Sequence, residues 1–175
     1  MMTTRIIIAG SRRATYAQVR AAAASCPWFL AMARRRDDVE VISGKAPGAD
    51  THGEAIAERV GWPVKPFPAQ WRRSGTYNPA EGRIRNTAMA EYAARSGSFG
   101  ALVACWDGHI KGTAHMISEA FRVGLLVHVF DTRLMEPVDM REQAAYVARY
   151  GVPVPGMPSK RIRSGHRTQG ANTKL

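Results

Sequence analysis

Arg5-Ile6-Ile7-Ile8-Ala9-Gly10-Ser11-Arg12 sets three isoleucines in a row and closes them with a glycine. No polar residue alternates with the apolar ones, so both faces of the segment call for burial. Its length suits a strand, and a strand covered on both sides belongs to a parallel sheet with helices above and below. The residues just beyond Gly10 would then stand at the carboxyl edge of that sheet.

Outward from this strand, apolar runs and helical spacings alternate. An Ala-rich helical region starts near Tyr16 and breaks at Ser25-Cys26-Pro27, where proline cannot continue a helix. Val39-Glu40-Val41-Ile42-Ser43 reads as a second strand ending in Gly44. Ala49, Gly53, Ile56, Ala57 and Val60 recur at helical spacing up to Gly61. Residues 63–67 read as a short, proline-flanked third strand, and 68–79 as a loop holding Trp71, Arg72, Arg73, Gly75 and Tyr77. A helix follows from Ala80 or Glu81 to about Arg95, then a fourth strand over 100–105. Residues 111–122 form a helix with Ile117, Ala120 and Phe121 inward, and 125–130 a fifth strand. A last helix is expected over 140–150. The pattern predicts an α/β protein, a Rossmann-like three-layer α/β/α sandwich with a mostly parallel five-stranded sheet. Residues 1–151 make the domain, and 152–175, rich in proline, glycine and basic residues, a flexible tail.

A chain of 175 residues suits one domain, and 45% hydrophobic with 22% charged residues argues against wholesale disorder. The net charge is +11, of which residues 152–175 supply +5 and the rest +6. Such a balance favours anionic partners: phosphate ligands, nucleic acid or an acidic protein surface. Cys26 and Cys105 show no metal-like spacing, so neither a metal nor a disulfide framework is expected, and no other cofactor is indicated. That fits a reducing compartment. The apolar run at 21–33 follows Arg12, Arg13 and Arg20 like the core of a secretion signal. Pro27 interrupts it, however, and cleavage there would discard the first strand, so a cytoplasmic location is expected. The run is also shorter than the ~20 residues that span a bilayer, and no membrane partner is expected.

In a doubly wound sheet, ligands bind at the carboxyl ends of the strands. The loops there are Gly10-Ser11-Arg12, Ser43-Gly44-Lys45-Ala46-Pro47-Gly48-Ala49-Asp50, and Trp106-Asp107-Gly108-His109-Ile110-Lys111-Gly112-Thr113. The last two run directly into helices, whose first N–H groups and positive dipole end attract phosphate. Two such turns side by side would grip one phosphorylated ligand. Neither is a P-loop or a GxGxxG turn. The Arg12 fork suits two phosphate oxygens. Asp50 suits a ribose hydroxyl or a helix cap. Lys45 and Lys111 are candidate phosphate contacts, and Thr113 a phosphate contact or an N-cap. Trp71 and Trp106 are candidate base-stacking rings or partly buried aromatics. Ser11 and Ser43 lack the His–Asp partners of an activated nucleophile. His109 and His115, with no cysteine nearby, make a poor metal pair.

Five ordered motifs carry a resemblance. They are Ile7-Ile8-Ala9-Gly10-Ser11-Arg12, Ser43-Gly44 with Gly48-Ala49-Asp50, Phe67-Pro68-Ala69-Gln70-Trp71, Gly82-Arg83-Ile84-Arg85-Asn86 with Met89, and Trp106-Asp107-Gly108 with Gly112-Thr113. Together they resemble the YspA/YpsA-related branch of the SLOG superfamily, which includes DprA/Smf and the LOG phosphoribohydrolases, over residues 5–130. The resemblance implies a pocket for a nucleotide or phosphorylated ribose derivative, with Arg85 and Asn86 facing it. The protein would serve as a sensor, or as a hydrolase or transferase at a nucleotide N-glycosidic bond, of the phosphoribohydrolase or nucleoside deoxyribosyltransferase kind. Arg85-Asn86-Thr87-Ala88-Met89 is similar to the Arg-Lys-x-x-Met helix start of LOG enzymes, and residues 108–116 to their Gly-Gly-x-Gly-Thr-x-x-Glu turn. Where that turn carries its acidic residues, this chain has His115 and Met116. Glycosidic cleavage needs a carboxylate. Glu119, Asp107 or Asp50 are the candidates to substitute, with Arg85 a further catalytic candidate. The alternative implied by the superfamily is a DprA-like protein that binds single-stranded nucleic acid through its basic surface and tail. Either role is compatible with a homo-oligomer.

Overall fold

The computed structural model describes residues 3–35, 38–73 and 75–138. In chain order the elements are β1 (Thr3–Gly10), α1 (Tyr16–Ala24), α2 (Pro27–Arg35), β2 (Val39–Ser43), α3 (Ala49–Val60), β3 (Val64–Pro66), β4 (Arg72–Arg73), β5 (Thr76–Tyr77), α4 (Glu81–Ala93), β6 (Ser98–Trp106), α5 (Lys111–Arg122), β7 (Leu126–Asp131) and β8 (Glu136–Val138). The expected helix over 140–150 and the tail lie outside the described residues.

The isoleucine run behaves as its composition demands. Ile6, Ile7 and Ile8 are buried, and because side chains alternate along a strand they feed two cores. Ile6 and Ile8 meet Val19, Ala22, Phe29, Ala49 and Ile56 from α1, α2 and α3 on one face. Ile7 meets Met89, Ala90, Ile117 and Ala120 from α4 and α5 on the other. Those three layers make the fold a Rossmann-like α/β/α sandwich. Local signals set the helix ends. Thr15 and Gln18 form a reciprocal capping box at the start of α1. Pro27 ends the Ala-rich region and then opens α2 as its first residue, where a missing N–H costs nothing.

The main sheet has the order β3-β2-β1-β6-β7-β8. Its first five members run parallel, and β8 pairs antiparallel with β7. It thus has six strands, not the five expected. Residues 136–138 are too few to show a period, and their pairing depends on a turn in which Asp131 Oδ1 accepts from the backbone N–H groups of Arg133 and Leu134. Residues 68–79 are also more ordered than a loop, since β4 and β5 form a small antiparallel hairpin. From β1 the chain moves outward through β2 to β3, then crosses back to place β6 on the far side of β1. The reversal leaves a crevice at the carboxyl ends of β1 and β6, the position where open α/β sheets bind ligands. Among the described residues no helix is long and apolar enough to cross a membrane.

Candidate functional site

A cavity of about 650 Å³ opens at that crevice. The loop after β1 supplies Arg12 and Arg13, α3 supplies Asp50, and the hairpin brings Trp71. Gly82, Arg83, Arg85 and Asn86 come from the first turns of α4, Asp107 from the connection between β6 and α5, and Gly112 and Thr113 from the first turn of α5. Arg12, Arg13 and Arg83 are exposed at the rim, while Arg85 is partly buried. Four arginines against two aspartates leave the wall cationic, which suits an anion. A second hollow of about 300 Å³ adjoins the first through Arg12, Ala46, Trp71 and Arg85, and extends over Gly44 and Lys45.

Buried Asp50 and partly buried Arg85 bring opposite charges into the cavity wall, where each acts on the other. Asp50 is 3% exposed, and burial pushes its carboxyl up to about 6, against the opposing pull of Arg85 and a hydrogen bond from the Ala46 N–H. The same burial lowers the Arg85 guanidinium, with Asp50 acting against the shift and Arg12 adding to it. Arg85 Nη1 donates to the Gly44 carbonyl at 3.0 Å and Nη2 to Asn86 Oδ1 at 3.1 Å, whereas Nε is buried without a partner among the described residues. A side chain on Gly44 would collide with both groups, its Cβ falling 2.7 Å from Asp50 Oδ2 and 2.8 Å from Arg85 Cζ. Asn86 is spent on architecture: its Nδ2 donates to the Gly112 carbonyl at 3.0 Å, tying α4 to the first turn of α5. A buried carboxyl whose pKa is raised by burial beside a cation, in a cleft, has the character of a functional group.

The two glycine-led helix starts differ. At α3, Gly48 has φ 78° and ψ −118°, outside the regions open to other residues, and a Cβ there would fall 2.5 Å from the backbone of Ser11 and Arg12 in the loop after β1. The Ala49 N–H is taken by the Ser11 carbonyl at 3.1 Å, so the first amide of this helix is already committed. At α5 the arrangement is open. Asp107 Oδ1 accepts from the His109 and Ile110 N–H groups and shapes the turn, and the first intrahelical bond runs from Ala114 to Ile110. Lys111, Gly112 and Thr113 therefore head α5 with no intrahelical acceptor and no side-chain cap. A Cβ on Gly112 would meet nothing within 4 Å. Thr113, 4% exposed, lines the cavity with a buried hydroxyl that has no partner among the described residues.

Of the residues singled out from sequence, Gly10, Arg12, Asp50, Trp71, Arg85, Asn86, Asp107, Gly112 and Thr113 line the cavity. Gly44 and Lys45 line the smaller hollow, although the Lys45 ammonium is held by Glu54 at 2.6 Å. The others stand elsewhere. The Ser43 hydroxyl donates to Glu54, and the Ser11 hydroxyl accepts from the Arg13 N–H. Gly48 and Ala49 pack beneath the β1 loop. Trp106 is 2% exposed in the core and donates its Nε1–H to the Ile110 carbonyl, so it is no stacking platform. Gly108 takes a positive φ of 82° within the turn that Asp107 shapes, and Lys111 is exposed outside the cavity wall. Glu119 also lies outside. Burial pushes its carboxyl up, but hydrogen bonds from Arg122 and Thr87 outweigh that and lower it overall. Its pairing with Arg122 at 2.8 Å belongs to the α4–α5 surface.

Arg13, Arg83, Ile110 and Met116 reach the cavity without having been singled out. Adjacency to Arg12 and Arg85 was the available signal for the two arginines. Burial raises the Cys26 thiol to about 11 and the Cys105 thiol to about 12, so neither is a thiolate nucleophile near neutrality. Among the described residues no three His, Cys, Asp or Glu side chains cluster as a metal site requires. The fold and cavity together define a doubly wound α/β domain with a cationic crevice at its switch point. No family model, curated protein or solved structure matches the chain.

Proposed function

We propose that this protein binds a nucleotide or phosphorylated ribose derivative in the crevice between β1 and β6, as its resemblance to SLOG proteins implies. The observation that carries the reading is the uncapped start of α5, with Gly112 and Thr113, facing a cavity ringed by Arg12, Arg13, Arg83 and Arg85. Helix-start amides take a phosphate, and guanidinium forks hold its remaining oxygens. A volume of about 650 Å³ suits a small organic ligand.

Chemistry at an N-glycosidic bond runs through Asp50 in this reading. Glu119 faces Arg122 and Thr87 instead, and Asp107 Oδ1 already accepts two backbone N–H groups. With its carboxyl near 6, Asp50 exchanges a proton at ordinary pH and suits general acid–base work. Release of free base from nucleoside monophosphates by the wild type, lost in Asp50→Asn, identifies a hydrolase. Binding without release identifies a sensor.

Thermal unfolding with nucleoside monophosphates, nucleoside diphosphate sugars and ribose 5-phosphate tests the site. A ligand at 100 times its Kd adds about 2.7 kcal/mol to stability. Arg12→Ala should abolish most of that gain. No shift with any of these compounds overturns the reading, and a single-stranded oligonucleotide that binds more tightly than all of them replaces it with the DprA-like one.

A further inference from the structure

Trp71 differs from the other three tryptophans of the chain. Trp62 and Trp106 are buried in the two cores, and Trp28 packs against one of them. Trp71 belongs to neither core, yet it is partly buried and lines both hollows. The hairpin holds it there. The Asn78 N–H donates to the Trp71 carbonyl at 2.9 Å, and Arg72 pairs with Tyr77 across the two strands. The Tyr77 ring stacks on the indole with centroids 6.2 Å apart and planes within 17°. At the other end of the indole, α4 carries Gly82, where a Cβ would come within 3.1 Å of Cη2. The Arg12 guanidinium sits over the indole in a long cation–π contact, 6.0 Å from the ring centroid.

A large aromatic ring usually repays its position by apolar packing in the core. Here a hairpin, a supporting ring and a position without a side chain fix the indole at the wall of a cationic cavity. Amides and arginines suffice for a phosphate, and one long cation–π contact with Arg12 does not by itself call for an indole braced by Tyr77 and Gly82. A flat π-surface gains from stacking on another one, and nucleobases supply it. We infer that Trp71 is the plate on which the ligand's base stacks, so that the ligand is a nucleotide that carries its base and not a phosphorylated sugar alone. Arg12 lines both hollows and lies over the indole, within reach of a ligand that stacks there. This assignment rests on the phosphate reading of the crevice and adds its specificity.

Calorimetric titration of the whole chain with AMP, GMP, CMP, UMP and ribose 5-phosphate tests it, using wild type, Trp71→Ala and Trp71→Phe. Trp71→Ala should weaken the tightest nucleotide about 10-fold or more, the scale of a lost base–aromatic stack, and leave ribose 5-phosphate essentially unchanged. Trp71→Phe should retain most of the nucleotide affinity but lose the indole fluorescence quench expected when a base stacks on wild-type Trp71. Because Phe preserves a ring against Tyr77, that variant decides the matter if Trp71→Ala fails to fold. Equal weakening of nucleotide and ribose 5-phosphate, or a quench that persists in Trp71→Phe, overturns the inference. A wild type that prefers ribose 5-phosphate to every nucleotide overturns it too, while leaving the anion site intact. Binding of none of the five removes both.

Discussion

Helices α3 and α5 begin alike in sequence and differently in space. Each follows a strand through a glycine-containing turn, and each would serve as a phosphate cradle by composition alone. At α3 the glycine is pressed into the loop after β1, and the amide beyond it is bonded to Ser11. At α5 the glycine faces open space, and the first turn has no cap. One turn welds two loops together, and the other offers its donors outward. What α3 gives the cavity is a carboxylate, Asp50, and what α5 gives is N–H groups. A glycine before a helix therefore has two physical explanations, and the surroundings of its absent Cβ tell them apart.

The largest effect expected from this contrast is in stability. Gly48→Ala forces a Cβ to 2.5 Å from the Arg12 carbonyl at a φ of 78°. A loss on the order of 3 kcal/mol or more should appear in denaturant unfolding. A cost below about 1 kcal/mol would break the welded account of α3.

The second effect concerns the charge that α3 contributes. In the folded chain Asp50 holds its proton to about pH 6, against 3.8 for the ordinary group. Between those values the folded state binds more protons than the unfolded one, so stability falls as pH rises through the window. Relative to Asp50→Asn, the wild type should lose on the order of 2–3 kcal/mol between pH 4 and pH 7. Parallel pH–stability curves for the two proteins would remove Asp50 as a strained charge.

Gly112→Ala sharpens the other half. Its methyl enters open space, and alanine favours a helix over glycine by up to about 1 kcal/mol, so stability should hold or rise slightly. Affinity for ribose 5-phosphate should nevertheless fall about 10-fold, because the methyl occupies the approach to the amides; one such factor is about 1.4 kcal/mol. Unchanged affinity would place the phosphate elsewhere. The smallest effect belongs to Glu119→Gln, whose pairing with Arg122 lies outside the cavity. Ligand affinity should stay level and stability change by less than about 1 kcal/mol, as calorimetry and melting would show.

Much of the fold could be read in the chain because its signals are local. The isoleucine run, the proline break at Pro27 and the bounds of β2 and α5 all follow from patterns a few residues wide. Strand β8 and the β4–β5 hairpin did not show, since segments of two or three residues acquire a role only through a partner. The site divides in the same way. Arg12, Asp50, Gly112 and Thr113 stand where strand ends and helix starts put them. Ser43 and Lys45 were drawn to Glu54 on the far side of a helical turn, and Ser11 gave its carbonyl to Ala49. Trp106 was captured by the core. Arg83 and Arg85 lie two positions apart, on opposing faces of an ideal helix. Both nonetheless reach the cavity, because the first turns of α4 abut it.

Both borders of the main sheet, as the described residues form it, carry a consequence for edge-to-edge pairing. The outermost strands β3 and β8 are three residues each, and each contains a proline, Pro66 and Pro137. Proline has no amide hydrogen to offer a newcomer, and exposed Lys65 adds a charge to the β3 side. Lateral growth of one sheet onto another is thereby discouraged at both of these edges.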